Sequence, residues 1–121
     1  MTTGAPAVSG VAVVAVDCDD PRALVAFWAS VLGGEVEQDE SGDATLRPPG
    51  GPVLDFLRTP DARTVKNRLH LDLRSTDYEA AVEQVLALGA TRADDVYDGG
   101  GWQVLRDPEG NEFCILRPRP A

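Results

Sequence analysis

The chain has 121 residues, of which 43% are hydrophobic and 26% charged, and its 20 acidic and 11 basic side chains give a formal net charge of −9. This length predicts one domain, and the composition is typical of a globular rather than a disordered protein. The acidic balance argues against a nucleic-acid-binding module, and no apolar run is long enough to span a membrane. Because a signal-peptide pattern is absent and cysteines are few, we expect a cytoplasmic protein without disulfides.

The first half of the chain predicts a strand, a helix and three further strands. The β-branched run at residues 11–16 predicts a buried strand, and Asp19 or Asp20 can then cap a helix that begins at Pro21. Helical spacing of apolar side chains predicts one buried face, which ends at Gly33-Gly34. The members of that face are Leu24, Phe27, Trp28, Val31 and Leu32. The three strand candidates are residues 35–39, 44–47 and 53–58.

The second half predicts the same order of elements after a polar connector at residues 59–67. Residues 68–74 alternate as a strand does, and Thr76 with Glu79 forms a candidate capping box. The helix that follows has apolar side chains at the same spacing as the first. Those side chains are Tyr78, Ala81, Val82, Val85 and Leu86. The last three strand candidates are residues 91–97, 102–106 and 112–117, and residues 107–110 form a predicted turn between the last two.

The order βαβββ therefore occurs twice, and the helix ends Leu32-Gly33 and Leu88-Gly89 occupy matching places in the two halves. A helix with one apolar face needs a sheet to cover it. The sequence thus predicts an α+β fold of two βαβββ modules. We expect module one at residues 8–58, a linker at 59–67 and module two at 68–118, after a disordered or extended N-terminus at residues 1–7.

Three segments carry a resemblance to a known family: residues 20–33, with Phe27-Trp28 and Leu32-Gly33, residues 67–73 (NRLHLDL), and residues 107–113 (DPEGNEF). Together they resemble the vicinal oxygen chelate superfamily, which includes glyoxalase I, bleomycin-resistance proteins and extradiol dioxygenases. The similarity is greatest to small actinobacterial glyoxalase-like proteins. The resemblance implies a curved mixed sheet around a ligand cavity, helices on the outside, and a homodimer.

The resemblance also implies where a metal would bind, because four side chains on strands 1, 4, 5 and 8 hold the ion in the metal-dependent members. His70 matches the position on strand 5. The position on strand 1 is a valine, Val13, which cannot coordinate, and the position on strand 4 falls near Leu57, with Asp55 two residues away on the same face. Two of the four positions are therefore apolar, and we expect no cofactor.

The last of the four positions falls on Cys114, where the enzymes usually have Glu, and Glu112 lies two residues earlier on the same face. If a divalent metal such as Zn, Ni, Mn or Fe does bind, the ligands expected are His70, Glu112 and Cys114.

Strand alternation predicts the pocket independently of the resemblance. The leucines at 69, 71 and 73 share one face, which we expect to meet the helix, and the opposite face of that strand looks into the cavity. Small-molecule pockets are mostly apolar with a few convergent polar groups. The ligand-binding residues predicted in this way are His70, Asp72, Glu112, Cys114, Trp102, Tyr97 and Arg68.

Structural roles are alternatives for several of these residues. His70 can be a partly buried histidine bonded to Asp72 or Glu112, and Asp72 can pair with Arg68. Cys114 is more often a small core residue than a nucleophile or ligand. The basic stretch from Arg58 to Arg68 draws an anionic ligand, contacts an acidic subunit surface, or is a solvated linker.

Three functions follow. The first is a small-molecule binding protein of the superfamily without the usual metal site, of the type that sequesters an antibiotic or a metabolite. The second is a lyase, isomerase or dioxygenase that uses a metal on His70, Glu112 or Cys114, or metal-free acid–base catalysis by His70 with Asp72. The third is a protein whose cavity is vestigial and whose role is self-association or association with another protein.

Overall fold

The first module is a four-stranded sheet with one helix packed on it, seen here in a computed structural model that describes residues 7, 11–60, 69–95 and 102–118. Its elements in chain order are β1 (Val14–Cys18), α1 (Pro21–Leu32), β2 (Glu35–Gln38), β3 (Ala44–Arg47) and β4 (Leu54–Arg58). The sheet has the order β1-β4-β3-β2, in which β1 and β4 are parallel and the other pairs are antiparallel.

The second module repeats this arrangement. Its elements are β5 (Leu71–Arg74), α2 (Tyr78–Ala87), β6 (Thr91–Arg92), β7 (Trp102–Arg106) and β8 (Glu112–Leu116), and the sheet has the order β5-β8-β7-β6. Again only the first and last strands of the module pair in parallel. The predicted α+β fold of two βαβββ modules is confirmed. Neither helix of the described ranges is long and apolar enough to cross a membrane.

Helix α1 begins and ends where the sequence predicts. The Asp20 carboxylate accepts a hydrogen bond from the backbone N–H of Ala23 at 3.2 Å, and Pro21 occupies the first turn, where its missing N–H costs nothing. The helix ends at Gly33, whose positive φ of 76° suits glycine. At Gly34, φ is also positive, and a Cβ would lie 2.3 Å from the backbone oxygen of Arg47, so only glycine fits this close approach.

The cap of α2 differs from the prediction. The N-cap is Asp77, whose carboxylate accepts from the backbone N–H of Ala80, and the capping box predicted from Thr76 and Glu79 is wrong. Both residue types can cap a helix, and here the aspartate lies directly before the first helical residue. The caps Asp20 and Asp77 are equivalent in the repeat, and pairing them fixes the alignment of the two modules.

The two modules share one hydrophobic core. Helix α1 packs against β3 and β4 of its own sheet, and its buried aromatic side chains also contact Phe113 on β8 of the second module. The ring of Trp28, which is 3% exposed, lies 4.9 Å from that of Phe113 between centroids, in an edge-to-face arrangement. The predicted core position of Trp28 is therefore confirmed. The aromatic side chains Phe27, Trp28 and Phe113 form the contact between the modules, here called the aromatic seam.

Two strand predictions are corrected. The first strand is β1 at Val14–Cys18 instead of residues 11–16, because its extent follows its partner β4, with Val14 opposite Leu54 and Cys18 opposite Arg58. The strand predicted at 91–97 is only Thr91–Arg92 within the described residues. The linker at 59–67 and the N-terminus at 1–7 fall largely outside the described residues.

Candidate functional site

A cavity of about 260 Å³ lies where the two modules meet. Strands β1 and β4 of module one, β5 and β8 of module two, and helix α1 all contribute to its lining. Its walls are apolar and include Val14, Val16, Trp28, Leu54, Phe56 and Phe113. Five polar residues also line it, namely Asp17, His70, Asp107, Asn111 and Glu112. An apolar cavity with a few polar groups is the usual form of a small-molecule site.

Asp107 fixes the Trp28 wall of this cavity. Its carboxylate is 4% exposed and accepts a hydrogen bond from Trp28 Nε1 at 3.0 Å. The same carboxylate accepts from the backbone N–H groups of Glu109 and Asn111 at 2.9 and 3.0 Å and from the Asn111 side-chain amide. A buried tryptophan N–H needs an acceptor, and this one comes from the turn between β7 and β8. The sequence marked Asp107 only as a turn residue and missed this contact across the modules.

The same turn holds the start of helix α1. The carboxylate of Glu109 accepts hydrogen bonds from the backbone N–H groups of Asp19 and Asp20, both at 2.7 Å, where the helix N-terminus has unpaired donors. Nearby, burial raises the pKa of the Cys18 thiol to about 12, with a further contribution from the charges of Glu109 and Asp107. Cys18 is therefore protonated at neutral pH and is a core residue rather than a nucleophile.

His70, Asp72 and Cys114 come together at the edge of the second sheet. His70 Nδ1 lies 3.0 Å from Asp72 Oδ1 and 4.0 Å from Cys114 Sγ. The His70 and Asp72 side chains are 37% and 50% exposed, whereas Cys114 is buried. Strand alternation placed these three side chains on one face, and β5 and β8 place Asp72 directly opposite Cys114. The predicted contact of His70 with Asp72 is therefore present, and Arg68, the other partner suggested for Asp72, lies outside the described residues.

Glu112 was predicted to join this group, but its carboxylate is paired with Arg106. Its side chain is 2% exposed and accepts a hydrogen bond from Arg106 Nε at 3.1 Å, across the β7–β8 pair. Arg106 also donates two hydrogen bonds to Asp95, at 2.9 and 2.8 Å. The hydrogen bonds that Arg106 donates to Asp95 and, to a lesser extent, to Glu112 raise the pKa of Arg106, and the bonds from Arg106 lower the pKa of Asp95. Glu112 thus lines the cavity as half of an ion pair.

The remaining predicted pocket residues lie wholly or partly outside the described residues. Arg68 and Tyr97, together with most of the basic stretch from Arg58 to Arg68, lie outside the described residues. Trp102 begins β7, and its side chain also lies outside them.

Leu69 was expected to face a helix with Leu71 and is instead 88% exposed. It precedes β5 and lines the cavity.

A family comparison assigns the fold. The sequence profile of the glyoxalase-like domain matches residues 13–116, which is nearly the whole of the two modules. The chain belongs to the glyoxalase-like domain family. This places it in the vicinal oxygen chelate superfamily, as the sequence motifs indicated.

Several solved structures share this fold. FosX, a fosfomycin resistance protein from Listeria monocytogenes solved with Mn(II) and sulfate, matches with a TM-score of 0.74 at 14% identity, over 93% of this chain and 92% of that chain. A hypothetical protein from S. aureus gives 0.72 at 13% identity, over 93% and 95%. A glyoxalase/bleomycin resistance/dioxygenase family enzyme from Burkholderia phytofirmans gives 0.67 at 22% identity, over 89% and 98%. No curated protein sequence is similar enough to count as a match.

Of the four metal positions of the superfamily, the one on strand 1 does not fit a metal in this chain of the glyoxalase-like family. Pairing the caps Asp20 and Asp77 places Val13 opposite His70 in the repeat, so the strand 1 position is a side chain that cannot coordinate. The β1–β4 register also corrects the strand 4 position, since Asp55 pairs with Ala15 as Cys114 pairs with Asp72. Asp55, rather than Leu57, is therefore the counterpart of Cys114. Its carboxylate accepts a hydrogen bond from Thr45 at 2.6 Å.

Proposed function

We propose that this glyoxalase-like protein binds a small molecule in the cavity between its modules. The observation that carries the proposal is the lining itself, with apolar walls from both modules and His70 among its few polar groups. The volume of about 260 Å³ is below the range of drug-sized pockets, which suits a small aromatic or aliphatic compound. The homodimer and the cytoplasmic location stay predictions.

The charges of the protein and of the cavity lining indicate which ligand charge is favoured. The chain carries a net charge of −9, and three carboxylates line the cavity. Of these, Glu112 is paired with Arg106, and Asp107 accepts the hydrogen bond of Trp28. Asp17 is exposed at the end of β1 and remains available to a ligand cation. An acidic protein concentrates cations and repels anions near its surface. We therefore expect neutral or cationic apolar ligands to bind more tightly than anionic ones of the same shape.

A second candidate function is metal-free acid–base catalysis by His70. The contact of His70 Nδ1 with Asp72 at 3.0 Å is the geometry that orients an imidazole for proton transfer. In this case the protein is a lyase or isomerase of the superfamily and Asp72 acts as a positioning residue. Binding without turnover, measured on the same compound, separates the first candidate from this one.

Two compounds with the same ring test the proposed binding. Tryptamine is a cation and indole-3-acetate an anion at neutral pH, and both are titrated to millimolar concentrations while the melting temperature is followed. At ten times its dissociation constant, tryptamine should stabilise the protein by about 1.4 kcal/mol, a rise of several degrees for a domain of this size. Indole-3-acetate should give a smaller rise. An equal rise for both, or none for tryptamine, would contradict the proposed ligand class.

Ala15→Phe places a ring in the cavity and tests its location. Ala15 lines the cavity and is exposed on β1, so the larger side chain should fold and should abolish the tryptamine-dependent rise in melting temperature. Val36→Phe is the matched control, since Val36 is 40% exposed on β2 and does not line this cavity. If Ala15→Phe keeps the rise of the native protein, the binding site is elsewhere.

A further inference from the structure

His70, Asp72 and Cys114 form a group of donor atoms within the second module alone. One ligand atom from each of the three side chains lies within 4.8 Å of the other two. Their convergence follows from the β5–β8 register, in which Asp72 is opposite Cys114 and His70 lies two residues before Asp72. His70 and Cys114 occupy the strand 5 and strand 8 positions of the superfamily set, and Asp72 adds a third donor from strand 5. The group therefore needs no ligand from module one, whereas the superfamily set draws on strands of both modules.

The internal repeat shows that this donor set is specific to module two. When the helix caps are paired and the strand registers are followed, the module one counterparts of His70 and Asp72 are Val13 and Ala15. The counterpart of Cys114 is Asp55, whose carboxylate is hydrogen-bonded to Thr45. Equivalent backbone positions therefore carry three possible metal ligands in module two and one in module one.

The surroundings of the group give it a closed side and an open side. Cys114 is 7% exposed and packs in a small apolar cluster with Ala93, Val104 and Leu116. The imidazole of His70 and the carboxylate of Asp72 are both partly exposed. The sulfur therefore lies at the base and the other two donors at the mouth, which leaves one side for water or a ligand atom.

We propose that His70, Asp72 and Cys114 bind a thiophilic divalent cation, of which Zn²⁺ is the natural example. Three protein ligands with an open fourth position is the arrangement of a reactive zinc site, and thiolate, imidazole and carboxylate are its usual ligands. A hard cation such as Mn²⁺ prefers oxygen ligands, so the cysteine selects against it. Zinc binding here goes beyond the cavity-binding function and does not depend on it.

Cobalt substitution tests the site directly. Untagged, metal-free protein is titrated with Co²⁺, a spectroscopic substitute for Zn²⁺, and thiolate-to-cobalt charge-transfer absorption is recorded. We expect one equivalent of Co²⁺ to bind and to give this absorption, and we expect Zn²⁺ to displace the bound Co²⁺. Mn²⁺ should compete at least about 10-fold less effectively.

Variants of the two cysteines provide the matched control. Cys114→Ser should remove the charge-transfer absorption, and Cys18→Ser should retain it, since the Cys18 sulfur is buried against the Leu57 carbonyl. His70→Val, which installs the residue of module one, should weaken Co²⁺ binding by about 10-fold or more, and Asp72→Asn should do the same. Both of the latter change exposed side chains, so they keep the test valid if Cys114→Ser does not fold.

The proposal is overturned by any of three results. Charge-transfer absorption that persists in folded Cys114→Ser would place the cobalt elsewhere. Mn²⁺ binding as tight as that of Zn²⁺ would remove the role of the sulfur, and unchanged Co²⁺ affinity in both His70→Val and Asp72→Asn would remove the other two ligands. The tryptamine titration uses metal-free protein, so the cavity proposal and this one can fail separately.

Discussion

Replacing Phe113 with Ala is expected to lower the free energy of unfolding by about 3–5 kcal/mol. Phe113 is 1% exposed, and its ring contacts those of Trp28 and Phe27 at centroid distances of 4.9 and 6.2 Å. Removing it leaves a void between the modules and also removes two edge-to-face aromatic contacts. Because the two modules share this core, both should unfold in one transition.

Urea denaturation followed by circular dichroism measures this loss. Val36→Ala serves as the control, because Val36 is 40% exposed on β2 and its truncation should cost less than about 1 kcal/mol. A Phe113→Ala variant that loses no more than the control would show that the aromatic seam does not hold the modules together.

Asp107→Ala should have the next largest effect, a loss of about 3 kcal/mol. The substitution leaves the buried Nε1–H of Trp28 without its acceptor and removes the hydrogen bonds that shape the β7–β8 turn. The charged acceptor makes these hydrogen bonds stronger than neutral ones. Glu109→Gln provides the comparison, since the Glu109 hydrogen bonds to the start of α1 are exposed and should be worth less.

A double-mutant cycle isolates the contact across the modules. In a Trp28→Phe background the indole donor is gone, so Asp107→Ala should cost about 1 kcal/mol less than in the native protein. If the two losses are additive, Asp107 stabilises the turn alone and the link between the modules is absent.

The helices and the order of elements could be predicted because they depend on local patterns. The apolar faces of α1 and α2, the cap at Asp20 and the glycine at position 33 act within a few residues of one another. Strand ends could not be predicted in the same way, because they depend on a partner that is distant in the sequence. Strand β1 ends at Cys18 because its partner β4, at the far end of the module, ends at Arg58.

The candidate site was partly predictable for the same reason. Strand alternation placed His70, Asp72 and Cys114 on one face, and the parallel β5–β8 pair then brought them together. Glu112 was misplaced because its partner Arg106 lies on the neighbouring strand. A signal was available in the sequence, since Arg106 and Glu112 flank the predicted turn and thus face each other across the hairpin.

The contact between Trp28 and Asp107 had no such signal. The two residues lie 79 positions apart in different modules, and only the packing of α1 on β8 brings them together. Sequence reasoning could place Trp28 in the core and Asp107 in a turn without linking them. The Trp28 wall of the cavity therefore depends on packing between the modules, which local sequence patterns do not specify.

The most direct test of cavity binding is a nuclear magnetic resonance titration of the ¹⁵N-labelled protein with tryptamine. Trp28 lines the cavity, and its indole N–H signal is the one that Trp28→Phe lacks. We expect saturable shifts of this signal and of the backbone amides of Ala15 and His70, with little change at Val36. Shifts confined to β2 or α2, or no saturable shift at the cavity residues, would contradict binding between the modules.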